Sequence, residues 1–364
     1  MIVVGADTHK DTHMAVAVDA ATGQVISELE APARRAGFRA HLDWARALAG
    51  EGDVAWAIED CRHVSGGLER FLVDAGERVV RIPPKLMGAS RKGARTRGKS
   101  DAIDATNVAR AALREGVETL PSAYLDAASL EIKLLADHRE RLVRSRTDDQ
   151  RRLRWHLHEI DPSWEIPAGA LDRAVWLERL SGRLARKEQT ARVRIARELL
   201  RSIRTSVKRT KELEREIEAL VRSKAPSLLE IPGCGPLTAA KLLGETNGVR
   251  SFSSDAKLAR LAGVAPIEAS SGRRDRHRLD RGGNRQLNCA LHRIAVTQGR
   301  VHEPARAYLA RKQAEGKSRM EALRCLKRQL ARRVWQALRA DAEPLDLSIS
   351  YSPKLRPVEE LALT

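Results

Sequence analysis

The chain has 364 residues, with 66 Lys and Arg against 48 Asp and Glu, so its formal net charge is +18. This surplus favours a polyanionic partner, and 42% hydrophobic residues suffice for globular cores, which excludes wholesale disorder. Because there are only 6 Trp, 3 Tyr and 3 Phe, base stacking cannot be the main binding device, and phosphate contacts must contribute more.

The four cysteines are widely separated and form no Cys-x-x-Cys pair, which argues against a zinc ribbon and against a secreted disulfide scaffold. No apolar run approaches the roughly 18 residues of a membrane span. Met1 leads into a strand-like segment without a charged leader. We therefore expect a cytoplasmic protein with no membrane partner.

The first part of the chain alternates strand and helix patterns. Ile2–Asp7 and His13–Asp19 are apolar or alternating and predict a β-hairpin. The further elements predicted in chain order are a strand at Val25–Leu29, a helix at Gly37–Ala49, a strand at Val54–Glu59, a helix at Gly66–Ala75 and a strand at Arg78–Ile82. This order predicts an α/β domain with a mixed sheet.

From Ser100 onward the pattern is almost wholly helical. Apolar residues recur at helical spacing before Val221 and predict two long helices packed as a coiled-coil arm, the alternative being a helical bundle folded on the first domain. A second globular unit starts near Pro226, and its predicted helix Arg306–Arg333 combines an apolar stripe with a basic face. We expect this face to meet nucleic acid, a solvated face being the alternative.

Three tryptophans of the helical region are predicted to be helix-packing anchors: Trp155, Trp164 and Trp176.

Four carboxylates form a candidate metal site. Asp7 and Glu59 end predicted strands, and Asp101 and Asp104, three residues apart, begin a helix and share one face of it. Two strand ends and a helix start can converge, and carboxylate oxygens suit Mg²⁺ or Mn²⁺. The alternatives are that Asp101 is an N-cap with an acid at N3, and that Asp60 replaces Glu59 if the strand register slips by one.

A basic loop directly precedes the second pair of carboxylates. It has five cations and no acid, and we expect these cations to hold a phosphate backbone beside the metal site, a solvated loop being the alternative: Arg91, Lys92, Arg95, Arg97 and Lys99.

The second globular unit has two further candidate segments. Gly233 and Gly235 lie in a pattern that resembles a helix-hairpin-helix, whose backbone N–H groups approach a DNA phosphate, or it is a plain helix–helix turn. Ser270 and Ser271 precede a basic block; a serine hydroxyl is a weak nucleophile unless activated, and without activation this is ordinary loop chemistry. The predicted nucleic-acid contacts of the block are Arg273, Arg274, Arg276, Arg278, Arg281, Asn284 and Arg285.

Several linked motifs resemble those of the DEDD transposases of the insertion sequence 110 family, from about Val3 to Arg300. In chain order they are Gly5-Ala6-Asp7-Thr8-His9-Lys10-Asp11, Ala57-Ile58-Glu59, Lys99-Ser100-Asp101-Ala102-Ile103-Asp104-Ala105, Ile231-Pro232-Gly233-Cys234-Gly235-Pro236, Leu261-Ala262-Gly263-Val264-Ala265-Pro266, Ser270-Ser271-Gly272 and Arg281-Gly282-Gly283-Asn284-Arg285-Gln286-Leu287-Asn288. The resemblance implies a RuvC-like, RNase H-fold catalytic domain (residues 1–125), a long-helix coiled-coil arm (126–222), a mostly helical C-terminal transposase domain (223–345) and a flexible tail (346–364).

The resemblance also implies a mechanism and partners. The DEDD acids map onto Asp7, Glu59, Asp101 and Asp104, with Mg²⁺ or Mn²⁺ as cofactor, and the nucleophilic serine onto Ser271, with Ser270 as the alternative. The implied partners are donor and target DNA, a structured guide RNA that pairs with both, and further copies of the chain in a homodimer or homotetramer. The implied location is the bacterial cytoplasm, in association with the nucleoid.

Two other readings remain open. A structure-specific endonuclease of the Holliday-junction-resolvase type would need the four acids but no covalent serine, and a nucleic-acid-binding scaffold would need neither. These histidines have no cysteine companion to suggest a zinc site, and we expect them to be structural or near phosphate: His9, His13, His63, His277 and His292.

Overall fold

The computed structural model describes residues 1–59, 62–82, 100–120, 122–123, 126–247, 252–268, 277–278, 280 and 283–342. Several predictions lie outside these residues: the basic loop from Arg91 to Lys99, Asp60, the segment from Ser270 to Arg276, Arg281 and the tail 346–364. Among the described helices, none is both long enough and apolar enough to cross a lipid bilayer.

The N-terminal part of the chain folds into a mixed five-stranded sheet, as the sequence predicts. Its strands are β1 (Ile2–Thr8), β2 (Thr12–Asp19), β3 (Val25–Pro32), β4 (Val54–Glu59) and β5 (Arg78–Ile82). Their order is β3-β2-β1-β4-β5, with β1, β2 and β3 antiparallel and with β4 parallel to both β1 and β5. The parallel half requires crossover connections, and helix α2 (Arg62–Asp74) provides the one between β4 and β5.

The two faces of this sheet bury different side chains because successive residues of a strand point to opposite sides. Val4 and Trp56 face the side covered by α1 (Arg35–Ala49) and α2. Val3 and Ala57 face the side covered by α3 (Asp101–Glu115). The sheet is therefore buried on both faces, with α3 and the residues Val117 and Leu120 after it on the second.

Gly5 is the point at which α3 crosses β1 most closely. A Cβ atom on Gly5 would overlap the carbonyl oxygen of Ala105 and lie 2.6 Å from the backbone nitrogen of Ala109. Only a residue without a side chain permits this approach. The crossing brings the first turn of α3 above the ends of the central strands.

Two long antiparallel helices follow, α4 (Ala127–Ile160) and α6 (Ala191–Lys224). Their direction is evident from side-chain pairs, because the partner number falls as the residue number rises: Arg139 with Glu214 (2.6 Å), Asp149 with Ser202 (2.7 Å) and Glu159 with Arg192 (2.6 Å). At the far end, α5 (Ala174–Ala185) completes an apolar cluster of its own. Trp164 packs against this cluster, whereas Trp155 is 65% exposed, so its prediction as a packing anchor was wrong.

The C-terminal unit is built around one large apolar core. Its elements are α7 (Pro226–Leu229), α8 (Pro236–Thr246), α9 (Asp255–Leu261), the two-residue strands β6 (Ile267–Glu268) and β7 (His277–Arg278), α10 (Arg285–Val301), α11 (Glu303–Ala314) and α12 (Arg319–Ala340). Ile132 of α4 and Leu213, Ile217 and Val221 of α6 belong to the same core. The near ends of the two long helices are therefore fixed in the C-terminal unit.

The prediction of one helix over Arg306–Arg333 was wrong, because two helices occupy this region. Gly316, with a φ of 85°, lies between α11 and α12. Ser318 then begins α12 with a capping box, in which its hydroxyl accepts from the Glu321 backbone nitrogen and the Glu321 carboxylate accepts from the Ser318 backbone nitrogen.

Candidate functional site

The ends of β1 and β4 place two of the predicted acids side by side. The two strands are parallel, with Ala6 opposite Ile58, so Asp7 and Glu59 follow at neighbouring positions. Asp7 is four residues after Val3, and Glu59 is two residues after Ala57. Because side chains alternate along a strand, both acids point to the same face as Val3 and Ala57, which is the face covered by α3. Both acids therefore belong to the face over which α3 begins.

The first turn of α3 contributes the other two acids. Ser100 is the N-cap, and its hydroxyl accepts a hydrogen bond from the backbone nitrogen of Ile103 at 3.2 Å. The alternative reading of Asp101 as the N-cap was therefore wrong: Asp101 is the first residue of the helix, and Asp104 lies one turn further in the same direction. Both carboxylates therefore lie in the first turn of α3, at the positive end of its helix dipole.

The structure brings Asp7 and Asp101 together around His9. The His9 Nε2 atom lies 3.2 Å from Asp7 Oδ2 and 3.4 Å from Asp101 Oδ1. One ligand atom from each of the three residues lies within 4.8 Å of the others, which is the spacing expected around a metal ion. The Asp7 side chain is only 16% exposed, so it is the most buried of the three side chains.

The surroundings of the Asp7 carboxylate shift its pKa. Burial raises the pKa of Asp7 above its usual value, His9 lowers it, and the neighbouring charges of Asp104 and Asp101 raise it again. A divalent cation would offset both the lost hydration and the repulsion between carboxylates. Oxygen donors of this kind are the ligands that hard cations prefer, so the residues present fit such an ion.

His9 is the member of this cluster that sequence reasoning missed, since it was expected only to be structural or near phosphate. Its backbone nitrogen donates to Thr12 O at 3.1 Å, in the short connection between β1 and β2. This turn keeps the His9 side chain beside the end of β1. The available signal in the sequence was its position two residues after Asp7 at a predicted hairpin turn.

The glycines of the helix-hairpin-helix-like segment have different surroundings. Gly233 has a φ of 83°, and a Cβ atom there would lie 3.0 Å from Thr297 Cβ of α10. The positive φ and this close neighbour together favour glycine at this position. Gly235 is exposed at the start of α8, with nothing within 4 Å of a Cβ atom.

Of the predicted basic-block contacts, Arg278, Asn284 and Arg285 lie within the described residues. Arg278 and Arg285 are exposed. Asn284 is the N-cap of α10, where its Oδ1 accepts from two backbone nitrogens, and its Nδ2 donates to Glu245 Oε2 at 2.7 Å. Its side chain thus has a structural role, and phosphate binding by all three residues stays a prediction.

Comparisons with known proteins bear on this site. A family model described as a DEDD transposase of the IS110 type matches residues 4–162, and one described as a transposase of the IS116/IS110/IS902 family matches residues 225–310. The chain is 26% identical to a 44.8 kDa protein of insertion element IS116 from Streptomyces clavuligerus, over 93% of this chain and 94% of the relative. It is 29% identical to a 43.6 kDa protein of insertion element IS110 from Streptomyces coelicolor, over 90% and 91% of the two chains.

Each of the two family models matches one of the two parts of the chain that contain predicted catalytic residues. The first spans the four carboxylates and His9, and its DEDD type indicates use of a divalent metal. The second covers α7 to α10 and the first residues of α11. Transposases act on DNA, so the function is that of a DNA-cutting enzyme. On this evidence the chain belongs to the IS110 family of insertion-element transposases.

Proposed function

We propose that the chain is the recombinase of a bacterial insertion sequence, which cuts and rejoins DNA through a serine nucleophile assisted by the four carboxylates. The observation that supports this most directly is the convergence of Asp7 and Asp101 on His9. Glu59 lies on the same face of the sheet as Asp7, and Asp104 lies in the same turn of α3 as Asp101. We therefore propose that all four acids serve one reacting phosphate.

The proposed cofactor is Mg²⁺, with Mn²⁺ as the alternative, held by Asp7, Glu59, Asp101 and Asp104. When bound, the ion supplies Lewis-acid polarisation of a phosphoryl oxygen and neutralises charge that develops on it. The carboxylates position the ion. Asp101 and Asp104 both extend from the first turn of α3.

The proposed nucleophile is Ser271, with Ser270 as the alternative. Its Oγ atom forms a bond to phosphorus as the bond from phosphorus to one sugar oxygen breaks, and the hydroxyl proton is passed on to that leaving oxygen. One phosphoester replaces another, so the phosphoserine link retains the energy needed for rejoining. We propose that the serine and the acids of one reaction come from different subunits of a homodimer or homotetramer.

The proposed guide is a structured RNA encoded by the element, which pairs with both donor and target DNA. The supporting observation is compositional: a net charge of +18 with only 12 aromatic residues suits a protein that holds backbones while base pairing reads the sequence. Purification from cells containing the native element, followed by sequencing of co-purified RNA, tests this. Recovery of no element-encoded RNA contradicts it.

The nucleophile is tested by comparing Ser271→Ala with Ser270→Ala on donor and target DNA. Ser271→Ala should abolish both the joined product and the protein–DNA adduct, whereas Ser270→Ala should retain them; mass spectrometry of the trapped adduct identifies the serine. Continued cutting by Ser271→Ala without any adduct would instead favour a resolvase-type endonuclease.

The carboxylates are tested by a double substitution, Asp7→Ala with Asp104→Ala. Loss of cutting with retained DNA binding supports a metal-assisted site. Unchanged transposition in cells would instead favour a nucleic-acid-binding scaffold, because such a protein needs no intact acids.

A further inference from the structure

A cavity of about 560 Å³ lies in the C-terminal unit, between the turn Gly263–Pro266 and the helices α11 and α12. It is remote in sequence from the four acids. Three acids line it against twice as many cations, which are Arg278, Lys312, Lys317, Arg324, Lys327 and Arg328. The net positive charge of the lining residues favours an anionic ligand.

Half of these cations already have carboxylate partners. Arg328 lies 2.9 Å from Asp255, Lys312 lies 2.7 Å from Glu315, and Arg324 lies 3.4 Å from Glu321. Surface pairs of this kind are weak and leave part of each charge available. These pairs account for Arg328, Lys312 and Arg324, and Lys327 requires a separate explanation.

Lys327 is a buried lysine without a carboxylate partner among the described residues. It is 6% exposed, and its Nζ donates to Asn288 Oδ1 at 2.9 Å, which is a neutral acceptor. Burial, followed by the nearby charge of Arg324, lowers its pKa. Burying an ammonium group is costly unless an anion compensates it, and its place in the wall of an open cavity leaves room for that anion.

Asn288 ties this lysine to the turn that forms the other wall. Its Nδ2 atom donates to the carbonyl oxygens of Ala262 and Gly263, at 2.9 and 3.1 Å, while its Oδ1 holds Lys327. The amide therefore fixes the ammonium group beside the turn. The position of the charge is preorganised, which reduces the cost of binding an anion.

The place of the cavity indicates which anion it receives. Pro266 directly precedes β6 and Arg278 is the last residue of β7, so both line the cavity at the same end of this strand pair. A transposase acts on DNA, and duplex DNA presents phosphates along its whole length. We propose that this cavity binds a backbone phosphate of the DNA substrate, with Lys327 as its central cation and Lys317 and Arg278 at its rim.

This proposal depends on DNA being the substrate and does not depend on which serine reacts. Lys327→Met should weaken binding of duplex DNA irrespective of sequence and reduce the slope of log affinity against log salt by about one. Between 50 and 200 mM salt the variant should thus lose roughly 3.5-fold less affinity than the wild type. Lys327→Arg keeps the charge and should retain most of the slope.

Lys241→Met is the matched control. Lys241 is another largely buried lysine of the same unit, but its Nζ lies 2.6 Å from Glu140 Oε2 and 2.7 Å from Gln286 Oε1. Its charge is already compensated, so its loss should lower the melting temperature without changing the salt slope. Ser271→Ala should also bind with the wild-type slope, which separates failure of the nucleophile assignment from failure of this site.

A second variant tests the cavity even if Lys327→Met does not fold. Lys317→Gln with Arg278→Gln changes two exposed rim residues, whose replacement does not disturb the core. This variant should reduce the salt slope for duplex DNA by up to two. An unchanged slope in the rim variant, or a reduction seen with single-stranded RNA and absent with duplex DNA, overturns the proposal.

Discussion

Gly5 determines how closely the helix with two of the acids approaches the strand with a third. Gly5→Ala would push its Cβ into the backbone of α3 at Ala105 and Ala109, so sheet and helix must separate. We expect a loss of roughly 1–3 kcal/mol in the free energy of unfolding, as for other overpacked cores. The affinity for Mn²⁺ should also fall, because Asp101 and Asp104 move away from Asp7. Urea unfolding and titration calorimetry measure the two effects.

Gly182→Ala is the control for this substitution. Gly182 lies within α5, and nothing lies within 4 Å of a Cβ atom there. Alanine favours the helix by about 0.5–1 kcal/mol over glycine, so this variant should be as stable as the wild type or more stable. A Gly5→Ala protein that matches it in stability and Mn²⁺ affinity contradicts the close-approach explanation.

His13 predicts a loss of stability in acid. Burial is the main cause that lowers its pKa below 6.5, and it is 1% exposed and stacked on Phe38 with ring centres 5.5 Å apart. As the pH falls below 6.5, His13 of the unfolded chain binds a proton that the folded chain does not bind. The free energy of unfolding therefore decreases between pH 6.5 and the lower pKa of His13 in the folded state. Hydrogen exchange in β2 at pH 7.5 and 5.5 measures this loss.

His13→Phe should reduce that pH dependence, because it removes the titrating group and keeps an aromatic ring beside Phe38. His138→Gln, on the exposed face of α4, serves as the control and should leave the exchange of β2 unchanged at both pH values. An equal pH dependence in wild type and His13→Phe would assign the effect to other groups, of which buried His41 is the nearest candidate.

At this scale, the sequence allowed prediction of residues whose positions follow from strand periodicity. Asp7 and Glu59 end apolar runs, and the parallel pairing of β1 with β4 then places both on one face. His9 could not be predicted in this way, because its position depends on the hairpin turn rather than on a period. Ser100 was missed as the cap because Asp101 is an equally good capping residue by type.

The start of α3 is the element on which the metal centre most depends. Ser100→Ala removes the hydroxyl that accepts from Ile103 and should cost about 0.5–2 kcal/mol. The first turn should fray, so Mn²⁺ affinity should fall together with protection of the amides near Asp101 and Asp104. Ser100→Thr retains a capping oxygen and should restore both, as calorimetry and hydrogen exchange can show.

Ser318→Ala is the matched control, since Ser318 caps α12 in the same way, far from the acids in sequence. It should lose a similar amount of stability with no change in Mn²⁺ affinity. Equal Mn²⁺ affinity in Ser100→Ala and Ser318→Ala would mean that the first turn of α3 does not position the cation ligands.

Element boundaries depend on signals that periodicity does not contain. The apolar stripe continues from α11 into α12, so the pattern predicted one helix, and only Gly316 and the capping box of Ser318 divide it. Trp155 lies on α4, and its exposure depends on which face of α4 meets α6. Such tertiary choices are not encoded within one element.

At the scale of the whole molecule, the described residues pack into several separate apolar cores. The acids lie on a sheet with its own cores, whereas the near ends of α4 and α6 are fixed in the C-terminal core. The far ends of α4 and α6 have a separate apolar cluster with α5. The domain boundaries at 125 and 222 stay predictions, as does the coiled-coil role of these helices.

If the acids of one subunit serve the serine of another, two inactive variants should complement each other. Asp104→Asn keeps Ser271, and Ser271→Ala keeps the four acids, so each protein alone lacks one half of every reaction centre. In a mixed oligomer, one centre combines intact acids with an intact serine. Adduct formation should therefore return on mixing, and mass spectrometry of differently tagged chains should find DNA only on the Asp104→Asn chain.

If acids and serine act within one subunit, every centre in the mixture has a lesion and no adduct forms. The same mixture thus separates shared from self-contained reaction centres without knowledge of the target sequence.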